Sequence, residues 1–597
     1  MKKTIQFLAI LILVCAFINP GQAQSVDNKG KDFYLTFMPN TLSTSPNVEL
    51  HLTADANTTV TIDYPINSPT FNQTVNVGPG AVTIVSIPVG SSNGWTAGVV
   101  SNNGVHAYST DEFVCYMINR RNYTSDAALG LPKDALNTLY VASGYYSNLV
   151  TADRGEFAVV APFDSTTVTV TPSVDLQGGY TAGTPFSFML NKGETFLAVS
   201  STSGTNGDIT GSIIDADKPV GVTSGNNCTN VPAGTVYCDH IFEVAQPVQT
   251  WGLYIPVVNL PNRGEGSIYR VLASEDNTTV MMDGSTIATL NQGEYFETSI
   301  IPGAHVFEGD KPIYVVQYMT GSGRPQTGGI GDPAMGNMIP SAQYLSAYTF
   351  STVGGGQFVQ NYVTIIAEDS DVTSGNIMLD GAVIPAANFT SIAGSGLSYS
   401  IESIADGTHT TQSILGHGIT VEGYNTDDSY IYPGGARFQF INPVGDANPP
   451  ICQVTFSNDS AFGSATDNRP SEDVNGNGIL DPGEDLNGNG QIDEDTGIFF
   501  VELDPSSTNL NLVVDPFTPG DPVVTYTVNL IDPNQPGSGM VTATDGAGNQ
   551  CSSIIDFTVA VNNTPTCQID PAGPFTIDEN QNLTFNVLAS DADAGDM

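Results

Sequence analysis

A recurring segment constrains this chain more than any other feature. Ala54-Asp55-Ala56-Asn57-Thr58-Thr59-Val60 returns over Ala161 to Val168, which ends Asp164-Ser165-Thr166-Thr167-Val168. It returns again over Ala273 to Val280, which ends Asp276-Asn277-Thr278-Thr279-Val280, and a weaker fourth copy begins Ala367-Glu368-Asp369-Ser370. Each copy follows an alternating apolar run: Val48 to Leu52, Phe157 to Val160, Tyr269 to Leu272 and Tyr362 to Ile366. Such alternation marks a half-buried strand. The first three copies are spaced by about 110 residues, the size of a small β-sandwich.

Other markers keep the same phase. Leu190-Asn191-Lys192-Gly193-Glu194 matches Leu290-Asn291-Gln292-Gly293-Glu294, and Asp217-Lys218-Pro219-Val220 matches Asp310-Lys311-Pro312-Ile313. Asp or Asn opens a tight turn and Thr-Thr-Val starts the return strand. Residues 29–440 therefore read as four related β units, arranged as separate sandwiches or as one closed ring. Helical periodicity is nearly absent. The best short helix candidate is Asp126 to Leu136, interrupted by Pro132.

Residues 441–450, rich in Pro, Gly and Asn, read as a linker. An immunoglobulin-like module over 451–561 opens Pro450-Ile451-Cys452-Gln453 and closes with Ala543 to Asn549, Cys551 and the strand Ile554 to Val561. A similar opening, Pro565-Thr566-Cys567-Gln568, starts a last module over 565–597. Two or three strands are too few to close a core, so a longer natural chain is expected. At the other end, Lys2 and Lys3, the apolar run Ile5 to Phe17, and Gly21 and Ala23 at the −3 and −1 positions read as a signal peptide over 1–23. That apolar run is too short to span a bilayer, and no other stretch is apolar for long enough.

Export makes disulfides the default state of the six cysteines left after Cys15 is removed. Cys228 and Cys238 are close enough to close one short loop, and Cys452 and Cys551 lie near the two ends of one module. Cys115 and Cys567 have no obvious partner. The net charge is −45, from 61 acids against 16 bases. Such a surface repels nucleic acid and anionic lipid and attracts cations.

The strongest chemical motif is Asp473-Val474-Asn475-Gly476-Asn477-Gly478-Ile479-Leu480-Asp481-Pro482-Gly483-Glu484. A twelve-residue calcium loop needs oxygen ligands at positions 1, 3, 5, 9 and 12, a backbone carbonyl at 7 and Gly at 6. Asp473, Asn475, Asn477, Gly478, Ile479, Asp481 and Glu484 meet these needs in turn. A second loop follows with Asp485, Asn487, Asn489, Gly490, Gln491 and Asp493. Its twelfth position is Thr496, so Glu494 or Asp495 would have to substitute. No amphipathic helices flank the pair, which favours a rigidifying calcium role over a sensor.

Catalytic patterns are weak. His51, His106, His240, His305, His409 and His417 are scattered, with no His-x-x-x-His spacing. Gly90-Ser91-Ser92-Asn93-Gly94 fits Gly-x-Ser-x-Gly, but a nucleophile elbow needs a strand-to-helix turn in an α/β sheet.

Several motifs agree in order with one family. Gly30-Lys31-Asp32-Phe33-Tyr34-Leu35-Thr36-Phe37, then Thr124-Ser125-Asp126 with Leu131-Pro132, then Cys228, Tyr237-Cys238-Asp239-His240 and Trp251-Gly252 resemble the IgGFc-binding protein N-terminal domain. The resemblance covers most of residues 29–440 and implies an extracellular β-rich binding module. The 451–561 module resembles a hyalin-repeat, immunoglobulin-like domain. Asp578-Glu579-Asn580 and Ser590-Asp591-Ala592-Asp593 resemble the start of a cadherin-like repeat, whose calcium ligands would fall on Glu579, Asp591 and Asp593.

The expectation is an all-β protein of tandem β-sandwich-like units with immunoglobulin-like C-terminal modules. It would be secreted or held at the cell surface, would bind an extracellular protein or glycan without catalysis, and would take calcium as its cofactor. A calcium-stiffened stalk is the alternative, and a hydrolase with an unrecognised site a weaker one. Calorimetry tests the calcium part: chelator should lower the melting temperature of the 451–561 module, and an unchanged transition would remove calcium from the account.

Overall fold

The computed structural model describes residues 27–41, 47–89, 95–121, 123–146, 148, 153–354, 356–441, 449–457, 460–467, 496–504, 507–517, 520–533, 535–546 and 549–557, with the strands Thr566–Asp570 and Asn586–Ser590. The fold is all-β, built from antiparallel sheets.

One long strand organises each of the four units. These spine strands are Val105–Arg121, Ile213–Thr229, Ala304–Tyr318 and Thr408–Asn425. The N-terminal half of each spine pairs with the first and third strands of its unit. The C-terminal half pairs with the second and last strands. A spine therefore belongs to two sheet halves and must bend between them, and a bulge supplies the bend. In the second and third units the register breaks between Asp215 and Val220 and between Glu308 and Ile313. Asp217-Lys218-Pro219 and Asp310-Lys311-Pro312 lie inside these breaks. A proline has no N–H to give a ladder, so inside the break it costs no ladder hydrogen bond.

The recurring sequence markers meet at this corner. In the second unit Thr167 N donates to Asp217 Oδ1 (2.8 Å), Lys218 Nζ to Asp164 O (2.7 Å), Lys192 N to Asp164 Oδ1 (3.0 Å) and Asn191 N to Glu194 Oε2 (2.7 Å). The third unit repeats every bond. Thr279 N donates to Asp310 Oδ1 (2.6 Å), Lys311 Nζ to Asp276 O (2.8 Å), Gln292 N to Asp276 Oδ1 (3.0 Å) and Asn291 N to Glu294 Oε2 (2.9 Å). The fourth copy is weak in sequence because its turn is replaced by the short helix Asp369–Thr373. There Asp371 Oδ2 takes the spine N–H groups of Ile414 (3.0 Å) and Leu415 (2.8 Å) instead.

The last strand of each unit lies innermost. Thr124–Leu129, Asp239–Val244, Met335–Met338 and Asp428–Pro433 are buried at every position. The first contacts the second and the fourth, and the third contacts the same two, so the four close a ring around one axis. Adjacent units share their cores. Leu50 and Tyr116 of the first unit lie in one cluster with Phe350, Val363 and Tyr430 of the fourth. Val141 and Tyr145 of the second unit join Ile268, Tyr314 and Tyr318 of the third. The helix expected over Asp126 to Leu136 is replaced by the inner strand Thr124–Leu129 and a 3₁₀ turn, Lys133–Ala135. Ala127, Ala128 and Leu129 are apolar because both faces of that strand are covered, not because a helix buries one stripe.

The second and third units are riveted by Arg270, which is fully buried. Its guanidinium carbon lies 4.5 Å from the ring centroids of both Tyr145 and Tyr295 and 5.5 Å from Tyr318. Nη2 pairs with Asp208 and Glu297, each at 2.8 Å. Nη1 donates to Gly144 O and Thr210 Oγ1, both at 2.8 Å.

Beyond the ring, Ile451–Ser457, Ser460–Thr466, Val523–Leu530 and Leu510–Val514 form one sheet, and Ile498–Leu503, Gly537–Asp545 and Gln550–Phe557 form a second. Ala461, Val524, Val541 and Ile555 pack between them. The Cys452–Cys551 disulfide ties the two sheets. Phe440, at the end of the ring, packs on Phe500 with centroids 5.5 Å apart.

Two measurements follow from this packing. Arg270→Ala should cost about 3–5 kcal/mol in chemical denaturation, because two acids lose their buried partner. Arg270→Lys should recover less than half, since an ammonium cannot reproduce the planar fork or stack on the rings. Glu422 is fully buried; Oε1 accepts from Thr364 Oγ1 (2.8 Å) and Oε2 has no partner. Burial raises its carboxyl from 4.5 to about 8. The folded ring thus keeps a proton that the unfolded chain releases near its ordinary value. The contribution of this group to stability is full below about pH 4.5 and is lost as pH rises towards about 8. Glu422→Gln should flatten that slope and gain on the order of 3 kcal/mol at pH 8.

Candidate functional site at the hairpin tips

Each spine turns into its inner strand through a hairpin tip. The tips lie around Tyr123, across 230–237, across 319–334 and at Thr426 and Asp427. Adjacent tips are bonded to one another, which gathers them at one end of the axis. Gly321 N donates to Val231 O and Gly331 N to Asn425 O, both at 2.8 Å. Ser125 Oγ donates to Asp428 Oδ2 (2.9 Å), and His240 N to Thr124 Oγ1 (2.9 Å). The Cys228–Cys238 disulfide closes the second tip.

Two tyrosines stand out on this face. Tyr123 is 70% exposed with φ 67°, and Tyr237 is 65% exposed with φ 69°. A bulky side chain in the left-handed region is a strained arrangement that costs on the order of 1–3 kcal/mol. An exposed aromatic ring forgoes burial as well. Both costs fall on equivalent tips of neighbouring units. Val236, beside Tyr237, and Val359, whose N–H bonds Tyr424 O next to the fourth tip, are also exposed.

Beneath the tips the axis is acidic. Asp126 is fully buried. Its Oδ1 accepts from Ala127 N (2.9 Å), and its Oδ2 from Phe242 N (3.1 Å) and Met335 N (3.2 Å). Ile431 N also bonds the carboxyl, so all three other inner strands donate to it. Burial outweighs these four bonds and raises its carboxyl well above the usual range. Asp239 is raised well above that range too, first by burial and then by the charge of Asp428. Asp428 rises to about 7 through burial, opposed by its bonds to Ser125 and Gln357.

A concavity lies at the seam of the fourth and first units. It encloses about 390 Å³ and is lined by Asp55, Thr349, Asp380, His409 and Thr410 among others. Its His409–Asp380 pair has the look of a catalytic dyad, but the geometry argues against that. Nδ1 lies 2.7 Å from Asp380 Oδ2 and Nε2 lies 2.9 Å from Ala405 O, so neither ring nitrogen is left for a substrate. The third unit has the same clip, with His305 Nδ1 at 2.7 Å from Asp283 Oδ2 and Nε2 at 3.0 Å from Pro302 O. The pair is a repeated fastener of the fold.

The other motifs fall as follows. Both cysteine pairs, Cys228–Cys238 and Cys452–Cys551, are disulfides, and Cys115 is a buried free thiol. His240 is fully buried, with Nδ1 at 3.0 Å from Asn226 O. Trp251 is a core residue stacked on Tyr314. Gly90 to Gly94, the calcium-loop residues from Asp473 to Asp493, and Glu579, Asp591 and Asp593 lie outside the described residues. The flanks of the calcium segment are described: Gly497 N donates to Asp467 Oδ2 (2.8 Å), joining its two ends. These ends follow Ser460–Thr466 and precede Ile498–Leu503, strands of opposite sheets. Among the described residues no helix is long and apolar enough to cross a membrane. Tyr123 carried no sequence signal and Tyr237 only its place in the string Tyr237-Cys238-Asp239-His240, because exposure and φ depend on where the tips are placed.

Residues 126–423 match the family model described as IgGFc binding protein. The match begins in the first inner strand and ends in the fourth spine. The human protein named IgGFc-binding protein is 25% identical to this chain over 381 residues, which is 62% of this chain and 7% of that protein. This chain thus spans a small fraction of the length of the curated relative it matches.

Proposed function

We propose that this chain, which carries a domain of the IgGFc binding protein family, is a non-enzymatic extracellular binding protein that engages its ligand through the tip face of the ring. The observation that carries the reading is the pair of exposed, left-handed tyrosines, Tyr123 and Tyr237, on adjacent bonded tips. Strain maintained at an exposed position marks a site held ready for contact. Tyrosine offers large area with few torsions to freeze, which is why it recurs among interface anchors. The chain is strongly anionic, with 61 acids against 16 bases, which favours an extracellular protein or glycan and disfavours nucleic acid. The Cys228–Cys238 loop beside Tyr237 fits an oxidising compartment, in keeping with a signal peptide over 1–23. The relative's name refers to the Fc part of IgG; a distant match over a small part of that protein makes Fc one ligand to try and no more.

A second reading is a calcium-stiffened stalk. It rests on the Asp473 to Glu484 motif, inserted between strands of opposite sheets of the module after the ring. Calcium there would brace the module against bending and would leave the tip face as the recognition surface.

The test is a glycan and extracellular-protein array, with Fc included, probed with the whole chain with and without chelator. Any ligand found is then measured against Tyr123→Ser/Tyr237→Ser. Loss of two anchoring rings should weaken binding by more than about tenfold with an unchanged melting temperature. Undiminished binding would move the site off the tips. The absence of any ligand under either condition would favour the stalk.

A further inference from the structure

We infer that the rim of the seam between the fourth and first units is a docking site for an extended peptide segment of a partner protein. The segment adds as a strand to the edge Thr83–Ile87 and sets a neutral or basic side chain in the cleft beside it. The four seams can be compared, because in every unit a link joins the preceding strand to the spine. It runs over 88–104 in the first unit, 200–212 in the second, 298–303 in the third and 405–407 in the fourth. The first link crosses to the second unit. Its Val100–Ser101 pairs with Phe196 and Thr195, Gly98 N donates to Leu197 O (2.9 Å), and Gly104 N donates to Gly193 O (3.3 Å). The second link crosses to the third unit. Its Asp208 pairs with Arg270 (2.8 Å), and a Cβ on Gly211 would lie 2.3 Å from Gly293 O. At the third seam side chains fill the space, with Val258 and Val306 packed on Ile366, Ile392 and Leu397. The fourth link, Ala405-Asp406-Gly407, is the shortest, and at its seam a Cβ on Gly407 or on Gly80 would meet nothing within 4 Å.

Gly80 is the counterpart of Gly193 and Gly293. Val77, Leu190 and Leu290, each three residues earlier, pair with Thr58, Thr166 and Thr278 at matching places in their units. The three glycines share a left-handed φ of 71°, 82° and 76°. Two features covered at the first seam are therefore open at the last. Thr83–Ile87 is an edge strand, whereas its counterpart Thr195–Val199 is paired on both sides. Ile87 O takes Val89 N (2.8 Å), and among the described residues no other backbone group of this strand is bonded on the outer side. At the head of the strand lies the concavity of about 390 Å³, lined by Pro79, Gly80, Asp55, Thr349 and Asp380. Thr408 Oγ1, also in its lining, is buried without a hydrogen-bond partner among the described residues.

These features select the partner. A free edge presents a row of N–H and C=O groups, which a peptide backbone can pair and a sugar cannot. The first seam shows the arrangement filled: one segment runs along the edge from Leu197 to Thr195 and on to Gly193. There glycine meets glycine, while the last seam has room for a side chain. Asp55 and Asp380, with side chains 55% and 49% exposed, repel an acidic one. Thr408 to Thr410 begin the fourth spine, whose far end leads to the tip at Thr426 and Asp427. The site is thus separate from the tip face and does not rest on that reading.

The segment that fills the first seam supplies the probe. A fluorescein-labelled peptide reproducing residues 95–104 is titrated with the whole chain and followed by polarisation. Saturable binding is expected. It should weaken by more than about tenfold with Ser101→Pro in the peptide, which places a proline where the native segment pairs with Thr195. Thr83→Pro or Pro79→Trp in the chain should weaken it as much, with an unchanged melting temperature. A peptide with Gly104→Lys should bind more tightly than one with Gly104→Glu, and Tyr123→Ser/Tyr237→Ser in the chain should leave affinity as it was. No saturable binding up to about 1 mM peptide would overturn the inference. So would equal affinity for the Ser101→Pro peptide, or binding that survives both Thr83→Pro and Pro79→Trp. Binding lost only with the tyrosine pair would assign the peptide to the tip face and overturn it too. Should Thr83→Pro not fold, Pro79→Trp, at an exposed turn position, decides the outcome alone.

Discussion

Asp126 accepts backbone N–H groups from the inner strands of all three other units, and the ring is organised around that convergence. Inner strands packed around an axis cannot all complete their ladders with one another, so some N–H groups point at the centre. A carboxyl whose two oxygens both accept resolves this at a single position. Asparagine would turn an amide N–H against other donors, and a hydrophobic residue would leave several N–H groups buried without partners. The requirement propagates outward. Small residues, Ala127 and Ala128, follow Asp126 so that the strand can approach its neighbours, and the spines bend because each must reach both the axis and the rim.

The same convergence gives the tip face its character. Four tips are held in a fixed relation by bonds that run from one unit to the next, so a side chain on one tip has a defined position relative to the others. Loops fastened to a rigid scaffold can tolerate local strain because the scaffold over-determines them. Tyr123 and Tyr237 are held in the left-handed region on those terms. Directly beneath them lie the buried carboxyls of Asp126, Asp239 and Asp428.

Much of the architecture was legible in the sequence, and what was not has a physical reason. The recurring markers could be read because the corner at the bulge of the second and third units demands the same short polar groups: an Asp to hold the turn, a Lys-Pro to break the spine ladder and an Asn-x-Gly-Glu to close the opposing hairpin. Those contacts join nearby parts of one unit. Ring closure could not be read, because it depends on pairs such as Ser125 with Asp428, and Tyr116 with Gly434 O (3.1 Å), that are remote in sequence. Asp126 to Leu136 looked helical for a related reason: a strand buried on both faces loses its alternation and resembles one stripe of a helix. The cysteine pairs could be proposed because each brackets a single loop or module. Arg270 escaped notice, since an isolated arginine in an apolar strand looks like a surface residue until three tyrosines and two acids are seen to surround it.

The first and fourth units share one hydrophobic core, and this has a consequence for how the molecule is made. Synthesis proceeds from the N-terminus, so the apolar face that Leu50 and Tyr116 present to Phe350, Val363 and Tyr430 has no cover until the last unit has emerged. Nearly the whole ring must be available before its first segment is finished. Contacts over such sequence distances form slowly, and the exposed face and open strand edges invite association with other chains in the interval. The early units must therefore be shielded or must wait, and the last unit acts as the keystone that converts a sticky open arc into a closed, inert body.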